Sequence, residues 1–314
     1  MGRLLQWLHS HAGTNIGTRI EDFDAEAVRE TVRQVGALFG GPRSYFPLEI
    51  TGFDTVPEGP ALFVSNHSGG TSIPDAWGLM ISWYRHFGVG RPMHVLAHDM
   101  VFSLRATGEP FARRGVLRAR RDLALKVLTE WNRDLVVWPG GDLDTWRPYS
   151  ERYKVRFSGR KGYAKLAIQA GRPIVPVAHA GSHETLVVLT DGQRLAQRLH
   201  FPELFRASIF PIHLSFPYGL GIGPLPHLPT PVALRYRLAR PIWPERQCDD
   251  PTQEEIDALD ERVRAAMQHE LDVLAATAPR RGERLRAVAR RLRQTRVAAP
   301  HLSELVDVVA LAAK

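Results

Sequence analysis

The sequence predicts an α/β protein with a mixed, largely parallel sheet flanked by helices and a C-terminal helical extension. Short apolar runs alternate with segments whose apolar residues recur at helical spacing, which is typical of α/β folds. A helix, a glycine and a buried strand follow one another around Gly171, an order that favours parallel strands. With 314 residues, 44% of them hydrophobic, the chain can bury a substantial core.

The elements follow in chain order. Val28, Val32, Val35 and Phe39 recur at helical spacing and predict a helix over residues 24–39, which Gly40 ends. The apolar runs predict strands at residues 60–67, 93–97, 135–138, 173–178 and 232–238, with helices at 124–131 and 161–170. Proline and glycine are frequent in residues 201–231, which predicts a long loop region.

The clearest helix begins after Thr252, which forms a capping box with Glu255 ahead of a regular apolar stripe. Residues 280–296 hold eight arginines against one acid, Glu283, and a narrow apolar stripe, a pattern typical of a basic amphipathic helix. We therefore divide the chain into an N-terminal helical segment (1–45), a main domain (46–278) and a basic helical tail (279–314). The tail either binds anionic bilayers or packs on the core.

Net charge and composition limit the classes of binding partner that the chain is expected to have. A net charge of +8 favours polyanions, which include nucleic acid, anionic lipid headgroups and the phosphates of coenzyme A. The sequence lacks zinc-finger spacing and RNA-recognition motifs, and its aromatic residues do not alternate with basic clusters, so we expect no nucleic-acid partner. The single cysteine, Cys248, cannot form an internal disulfide, which suits a reducing cytoplasm.

The sequence contains no apolar stretch of the roughly 18 to 20 residues needed to cross a bilayer. Its first residues lack the uninterrupted apolar region and cleavage site of a signal peptide. We therefore expect a cytoplasmic protein that is peripheral on the inner face of the cell membrane.

His67 stands at the end of the first buried strand, where α/β proteins often place ligands and catalytic groups. A neutral imidazole can take a proton from a hydroxyl when a carboxylate fixes its tautomer, and Asp75 is the carboxylate within reach. Gly69 and Gly70 would let backbone N–H groups approach a developing oxyanion. The alternatives are a histidine that caps a strand end and an ordinary tight turn.

A second strand end carries Pro139, Gly140, Gly141 and Asp142, where a glycine turn suits close approach of the backbone to a ligand. Taken alone, this tetrapeptide favours a common β-turn.

Four segments in order resemble the glycerolipid acyltransferase superfamily, which includes bacterial acylglycerol-phosphate acyltransferases and eukaryotic monoacylglycerol and diacylglycerol acyltransferase-like proteins. They are NHSGG with a downstream Pro-Asp, GVLRARRDLAL, VVWPGGDLDTWRP and RYKVRFSGRKGYAKLAIQAGRPIVPVAHAG, and together they cover roughly residues 48–238. The family's first segment usually has an aspartate five residues after its histidine. Here that position is Ser72, and the acid is Asp75.

The resemblance implies roles for further residues. It assigns Arg120 or Arg121 to the polar head of the acceptor, although a solvated basic face explains both arginines equally simply. The family's third segment carries a glutamate and an arginine that are missing here, which argues against a phosphate-bearing acceptor. The resemblance also implies that Arg147, Lys154 and Arg160 either bind phosphates of the carrier or acceptor, or pair with Asp142 and Asp144.

We therefore expect an acyltransferase in which His67, held by Asp75, deprotonates a lipid hydroxyl that attacks an acyl thioester of coenzyme A or acyl carrier protein. This chemistry requires neither a metal nor another cofactor. One alternative is a hydrolase with Ser65 or Ser68 as nucleophile, but no G-x-S-x-G segment surrounds either serine. The other is a lipid-binding protein that has lost turnover.

Overall fold

The computed structural model describes residues 15–198, 209–216, 219–225 and 227–278. Its strands are β1 (Phe39–Gly40), β2 (Phe46–Thr51), β3 (Leu62–Ser65), β4 (Met93–Ala97), β5 (Val116–Arg118), β6 (Asp134–Val137), β7 (Ile174–Ala180), β8 (Val187–Thr190), β9 (Ile212–Ser215), β10 (Gly219–Ile222) and β11 (Leu234–Leu238). Its α-helices are α1 (Ala25–Gln34), α2 (Pro74–Phe87), α3 (Arg105–Ala112), α4 (Arg121–Thr129), α5 (Gly141–Thr145), α6 (Gly162–Ala170), α7 (Gln193–Arg198) and α8 (Gln253–Ala276).

Eight strands form the main sheet in the order β1-β2-β11-β7-β3-β6-β4-β5. The five strands from β7 to β5 are parallel to one another, whereas β11 is antiparallel to β7 and parallel to β2. Strands β8, β9 and β10 form a separate antiparallel sheet. The predicted mixed, largely parallel sheet is confirmed.

Helices cover both faces of the main sheet, because its central strands are apolar on both sides. In β3, Leu62 and Val64 belong to a core that includes Met267 of α8. Phe63, between them, faces the opposite core, where its ring lies 5.0 Å from that of Trp83 in α2. This layered arrangement leaves the ends of the strands as the places where polar side chains can gather.

Several predicted boundaries need correction. The predicted helix over residues 24–39 stops at Gln34, because residues 35–38 tighten into a 3₁₀ turn and Phe39 enters β1. Asp24 caps α1 by accepting hydrogen bonds from the N–H groups of Glu26 and Ala27. The long-loop prediction for residues 201–231 is wrong in part, since this region contributes β9 and β10.

The capping box of Thr252 and Glu255 is confirmed at the start of α8, which packs against β7. Helix α1 buries Val28 in the same core as α2. The predicted division at residues 45 and 278 stays a prediction, and the basic tail lies outside the described residues. In the described part of the chain, no helix combines the length and hydropathy that spanning a membrane requires.

Candidate active site

The carboxyl ends of the parallel strands bring the candidate residues to one edge of the sheet. His67 follows β3 by two residues, and Trp138 directly follows β6, the neighbour of β3. Their rings lie 5.4 Å apart. Asn66 fixes this loop to β7, because its side chain donates to the carbonyl of His179 (2.9 Å) and accepts from the same residue's N–H (2.8 Å).

His67 and Asp75 are in direct contact. His67 Nδ1 lies 2.6 Å from Asp75 Oδ2, and the same oxygen accepts the Ser68 N–H at 3.0 Å. The Asp75 side chain is 1% exposed and that of His67 is 14% exposed. The structure therefore brings together the two residues that the sequence singled out as base and orienting acid.

The longer loop of the first segment contains a 3₁₀ turn, Gly70–Ser72, before α2 begins at Pro74. This turn places Asp75 in the first turn of α2, facing back toward His67. The Ser72 hydroxyl instead donates to the Gly69 carbonyl at 3.0 Å and lies 3.2 Å from His227 Nε2. The longer loop thus moves the acid without separating it from the histidine.

Gly69 and Gly70 are required by the backbone of this loop. Their φ angles are 101° and 61°, in the left-handed region that favours glycine. A Cβ atom on Gly69 would lie 2.6 Å from Pro74 Cδ, and one on Gly70 would lie 2.7 Å from His227 Cε1. The close packing explains the glycine pair structurally, and its predicted role at an oxyanion stays a prediction.

Asp144 is a site residue that sequence reasoning placed only as an ion-pair partner. Its Oδ2 accepts the His67 backbone N–H at 2.6 Å, and its Oδ1 lies 3.0 Å from Arg147 Nη1. Both side chains are buried, at 0% and 1% exposure. Burial raises the pKa of Asp144, against the opposing effects of Arg147 and the His67 N–H. Asp144 therefore holds His67 from its backbone side.

Arg147 serves this buried network. Besides Asp144, its guanidinium contacts the Lys154 carbonyl and lies 3.0 Å from His183 Nε2. Of the two alternatives that the sequence left open for Arg147, the structure shows the pairing with Asp144. The sequence signal was the spacing of three residues between Asp144, in the short helix α5, and Arg147, which follows that helix.

Burial lowers the pKa of His67, but the charge of Asp75, its hydrogen bond and the charge of Asp144 together raise it by more. The net pKa therefore lies above the ordinary 6.5. The hydrogen bond to Asp75 places the ring proton on Nδ1, so Nε2 carries the lone pair.

The glycine turn after β6 is also built for close packing. A Cβ on Gly140 would lie 2.2 Å from Asp144 Cβ, and Gly141 has a φ of 54°. Arg160 Nη2 bonds to Asp142 Oδ1 at 3.1 Å, and Arg160 Nη1 donates to the Gly140 carbonyl at 2.9 Å. Arg160 thus neutralises the acid of this turn.

The remaining predicted residues lie on the surface. Arg120 pairs with Asp122 at 2.6 Å, and Arg121 donates to Gln169 Oε1 at the same distance. Both arginines are exposed, as is Lys154, and within the described residues the structure shows no contact between any of the three and His67. Their predicted role in substrate binding stays a prediction.

An apolar cavity of about 140 Å³ lies against the first turn of α2, which also contains Asp75. Ile73, Ala76 and Trp77, which flank Asp75 in sequence, line it together with residues of α1, α3, β4 and β5. Arg114 and Thr31 add polar groups to its wall, where Arg114 Nε donates to Thr31 Oγ1 at 2.6 Å. The site thus combines a histidine–aspartate pair with an adjacent apolar cavity.

Comparison with known proteins concerns the part of the chain that holds this site. The family model described as acyltransferase matches residues 47–180, a range that contains His67, Asp75 and Asp144. The matched range is 134 of the 314 residues, and this part of the chain is similar to acyltransferases. The match bears out the resemblance that the four sequence segments indicated, and the catalytic roles of individual residues stay predictions.

Two groups of relatives are informative. An uncharacterised protein of Mycobacterium tuberculosis is 32% identical over 67% of this chain and 57% of its own length. The human protein named DGAT1/2-independent enzyme synthesizing storage lipids is 29% identical over 58% of this chain and 54% of its own. The chain thus spans little more than half the length of these relatives.

Among solved structures, the 1-acyl-sn-glycerophosphate acyltransferase PlsC of Thermotoga maritima matches with a TM-score of 0.47 and 14% identity. The match covers 81% of this chain and 84% of that one.

Proposed function

We propose that this protein is an O-acyltransferase that transfers a fatty acyl group from acyl-CoA or acyl carrier protein to a hydroxyl of a glycerolipid or lysophospholipid. The contact of 2.6 Å between His67 Nδ1 and Asp75 Oδ2, beside an apolar cavity, carries this proposal. The match of residues 47–180 to the acyltransferase family model supports it. The net charge of +8 supports phosphate-bearing donors and work on an anionic membrane surface, which we place at the inner face of the cell membrane.

In the proposed reaction, His67 Nε2 accepts the proton of the acceptor hydroxyl as that oxygen attacks the thioester carbonyl. The new C–O bond forms, the C–S bond breaks, and the imidazolium returns its proton to the departing thiolate. Asp75 stabilises the imidazolium, and the N–H groups of the Gly69-Gly70 turn are the candidate donors to the oxyanion. Asp144 fixes the His67 backbone while these steps occur.

The cavity beside Asp75 suits the first part of the acyl chain. Its lining is almost wholly apolar, and it reaches from Ile73 toward the helix α1. A chain held there would leave its thioester near His67, since Ile73 and Asp75 are two residues apart.

The turn after β6 favours a neutral acceptor. The pairing of Asp142 with Arg160 occupies a cation that could otherwise bind phosphate. The vertebrate relatives are named as enzymes synthesizing storage lipids, which supports an uncharged glycerolipid. We therefore propose a monoacylglycerol or diacylglycerol in preference to a lysophospholipid.

The geometry gives less support to the two alternatives. Ser65 and Ser68 are 1% and 0% exposed, and the Ser65 hydroxyl donates to the Asn66 carbonyl at 3.2 Å, so neither is presented as a nucleophile. A protein that only binds lipid would have no need for the buried Asp75 carboxylate against His67.

A panel assay tests the proposal. The purified protein is incubated with acyl-CoA and acyl carrier protein thioesters and with neutral or phosphate-bearing acceptors, and the products are identified by mass spectrometry. We expect an ester of a neutral glycerolipid. Hydrolysis to free fatty acid alone, together with an acyl group trapped on Ser65 or Ser68, would support the hydrolase instead.

A further inference from the structure

The small sheet of β8, β9 and β10 lies against the loop that holds His67. Its inner face contributes His213, whose ring is 5.1 Å from that of Trp146, and Val188, which shares an apolar cluster with Trp146. The segment after β10 continues this contact, since His227 Nε2 lies 3.2 Å from Ser72 Oγ. One face of the sheet therefore belongs to the surroundings of the active site.

The opposite face of this sheet is apolar and exposed. Leu214 pairs across the strands with Leu220 on one side and Val187 on the other, and Ile212 pairs with Ile222. Directly opposed residues share a face, so these five side chains form one aliphatic surface. Leu214, Leu220 and Ile222 remain 46%, 59% and 53% exposed. We call these five residues the outer face.

The surrounding sequence shares this character. Between Arg206 and Arg235 the chain has 28 consecutive residues without Asp, Glu, Lys or Arg, although 24% of the whole chain is charged. Among the described residues, eleven large apolar side chains are exposed, and seven of them lie between Leu189 and Leu228. Exposed apolar groups concentrated in this way mark an interaction surface.

We propose that the outer face inserts into the apolar boundary of a lipid bilayer and places the active site over its acceptor. This inference rests on the proposed function, since a lipid acceptor must pass from a bilayer to His67. The outer face is purely aliphatic and lacks the Trp, Tyr and Arg residues that anchor protein partners. Insertion into the hydrocarbon of a bilayer requires only apolar area. The net charge of +8 complements the anionic headgroups that would surround the inserted face.

Vesicle flotation tests this surface with the full chain and vesicles of phosphatidylcholine and phosphatidylglycerol. The variant L214T/L220T/I222T places β-branched threonine, which is suited to strands, at all three positions and removes most of the exposed aliphatic area. We expect its partition into vesicles to fall by about tenfold or more, because the apolar contribution scales with area. The control Leu38→Thr changes a side chain of similar exposure, 50%, in the turn before β1 and should bind as the unaltered protein does.

Salt and assembly state complete the test. Apolar insertion survives high salt, whereas purely electrostatic binding does not. Equal flotation of the triple variant, or complete loss of wild-type flotation at high salt, would overturn the proposal. A wild-type dimer that the triple variant converts to a monomer in the absence of lipid would also overturn it, since the outer face would then join two copies of the chain.

A positive measurement guards against misfolding of the variant. In Cys248→Ser protein, an environment-sensitive dye on Leu220→Cys should shift to the blue when vesicles are added, and a dye on Leu38→Cys should not. An unshifted dye at position 220 contradicts insertion. Because neither readout uses turnover, failure of the acyltransferase assay and failure of membrane insertion are separate results.

Discussion

The substitution Asp75→Asn isolates the charge that supports His67. Asp75 Oδ2 contacts both His67 Nδ1 and the Ser68 N–H, at 2.6 Å and 3.0 Å. Because the backbone N–H can only donate, the introduced side-chain amide should keep its oxygen at this position and its NH₂ at the other. The His67 tautomer is then preserved, and the variant loses the negative charge.

The size of the effect follows from this geometry. A unit charge pair at about 4 Å in an effective dielectric of 20 is worth ~4 kcal/mol, and a hydrogen bond to a charged group ~1.5–3 kcal/mol. These contributions overlap, so we estimate that Asp75 stabilises the His67 imidazolium by ~3 to 4 kcal/mol. Its substitution should therefore lower the rate ~200- to 1,000-fold. A wrong tautomer would cost more, about 10⁴-fold in a known histidine-dependent enzyme.

The pH dependence of kcat/KM gives a second readout. The base must be neutral, and its pKa in the folded protein is raised above 6.5 by Asp75 and Asp144. Activity should therefore fall as the pH drops through this raised value. Removing the charge of Asp75 lowers the pKa of His67. The acid limb of the profile of kcat/KM against pH should therefore move to lower pH, and the plateau value of kcat/KM should fall.

The assay measures transfer to the best acceptor across pH, with Ser72→Ala as the matched control. Ser72 occupies the usual family position of the acid but bonds to Gly69 and His227, so its variant should stay within about fivefold of wild type. An unshifted acid limb in Asp75→Asn, or a larger loss in Ser72→Ala, would refute this reasoning.

Three further predictions concern the surroundings of the site. Arg147→Met should lower the free energy of urea unfolding by ~3–5 kcal/mol, because the buried Asp144 is then unpaired. Adding Asp144→Asn should restore part of the lost stability. A loss of stability below ~1 kcal/mol in Arg147→Met would contradict the pairing. Ala76→Phe should reduce turnover of long acyl thioesters at least ~10-fold more than that of short ones, since it fills the cavity; equal losses would remove the cavity from acyl binding. Alanine at Arg120 or Arg121 should raise the apparent KM more than it lowers kcat, and the reverse pattern would contradict a binding role.

The elements around the site were largely predictable. A buried strand that ends just before His67 follows from its local apolar run. The helix that contains Asp75 was not predicted, although Pro74 at its start is a local signal for a helix N-terminus. The spacing alone could not show that the Gly70–Ser72 turn returns Asp75 to His67, because that depends on backbone angles permitted by glycine.

The remaining features depend on contacts distant in sequence. Asp144 meets the His67 N–H across 77 positions, so its acid-rich turn gave no local sign of this bond. Strands β9 and β10 were not predicted, because the glycines and prolines around them favour a loop prediction. Apolar and polar side chains do alternate, however, along Ile212, His213, Leu214 and Ser215. Tertiary pairing with β8 determines their structure.

The most direct test of the central claim is the transfer rate of His67→Ala measured with the preferred thioester and acceptor. Circular dichroism and urea unfolding establish that the variant is folded. We expect ester formation to fall to the uncatalysed rate while binding of the acyl thioester is retained, because the cavity does not depend on the imidazole. Substantial turnover by a folded His67→Ala protein would contradict general-base catalysis by His67.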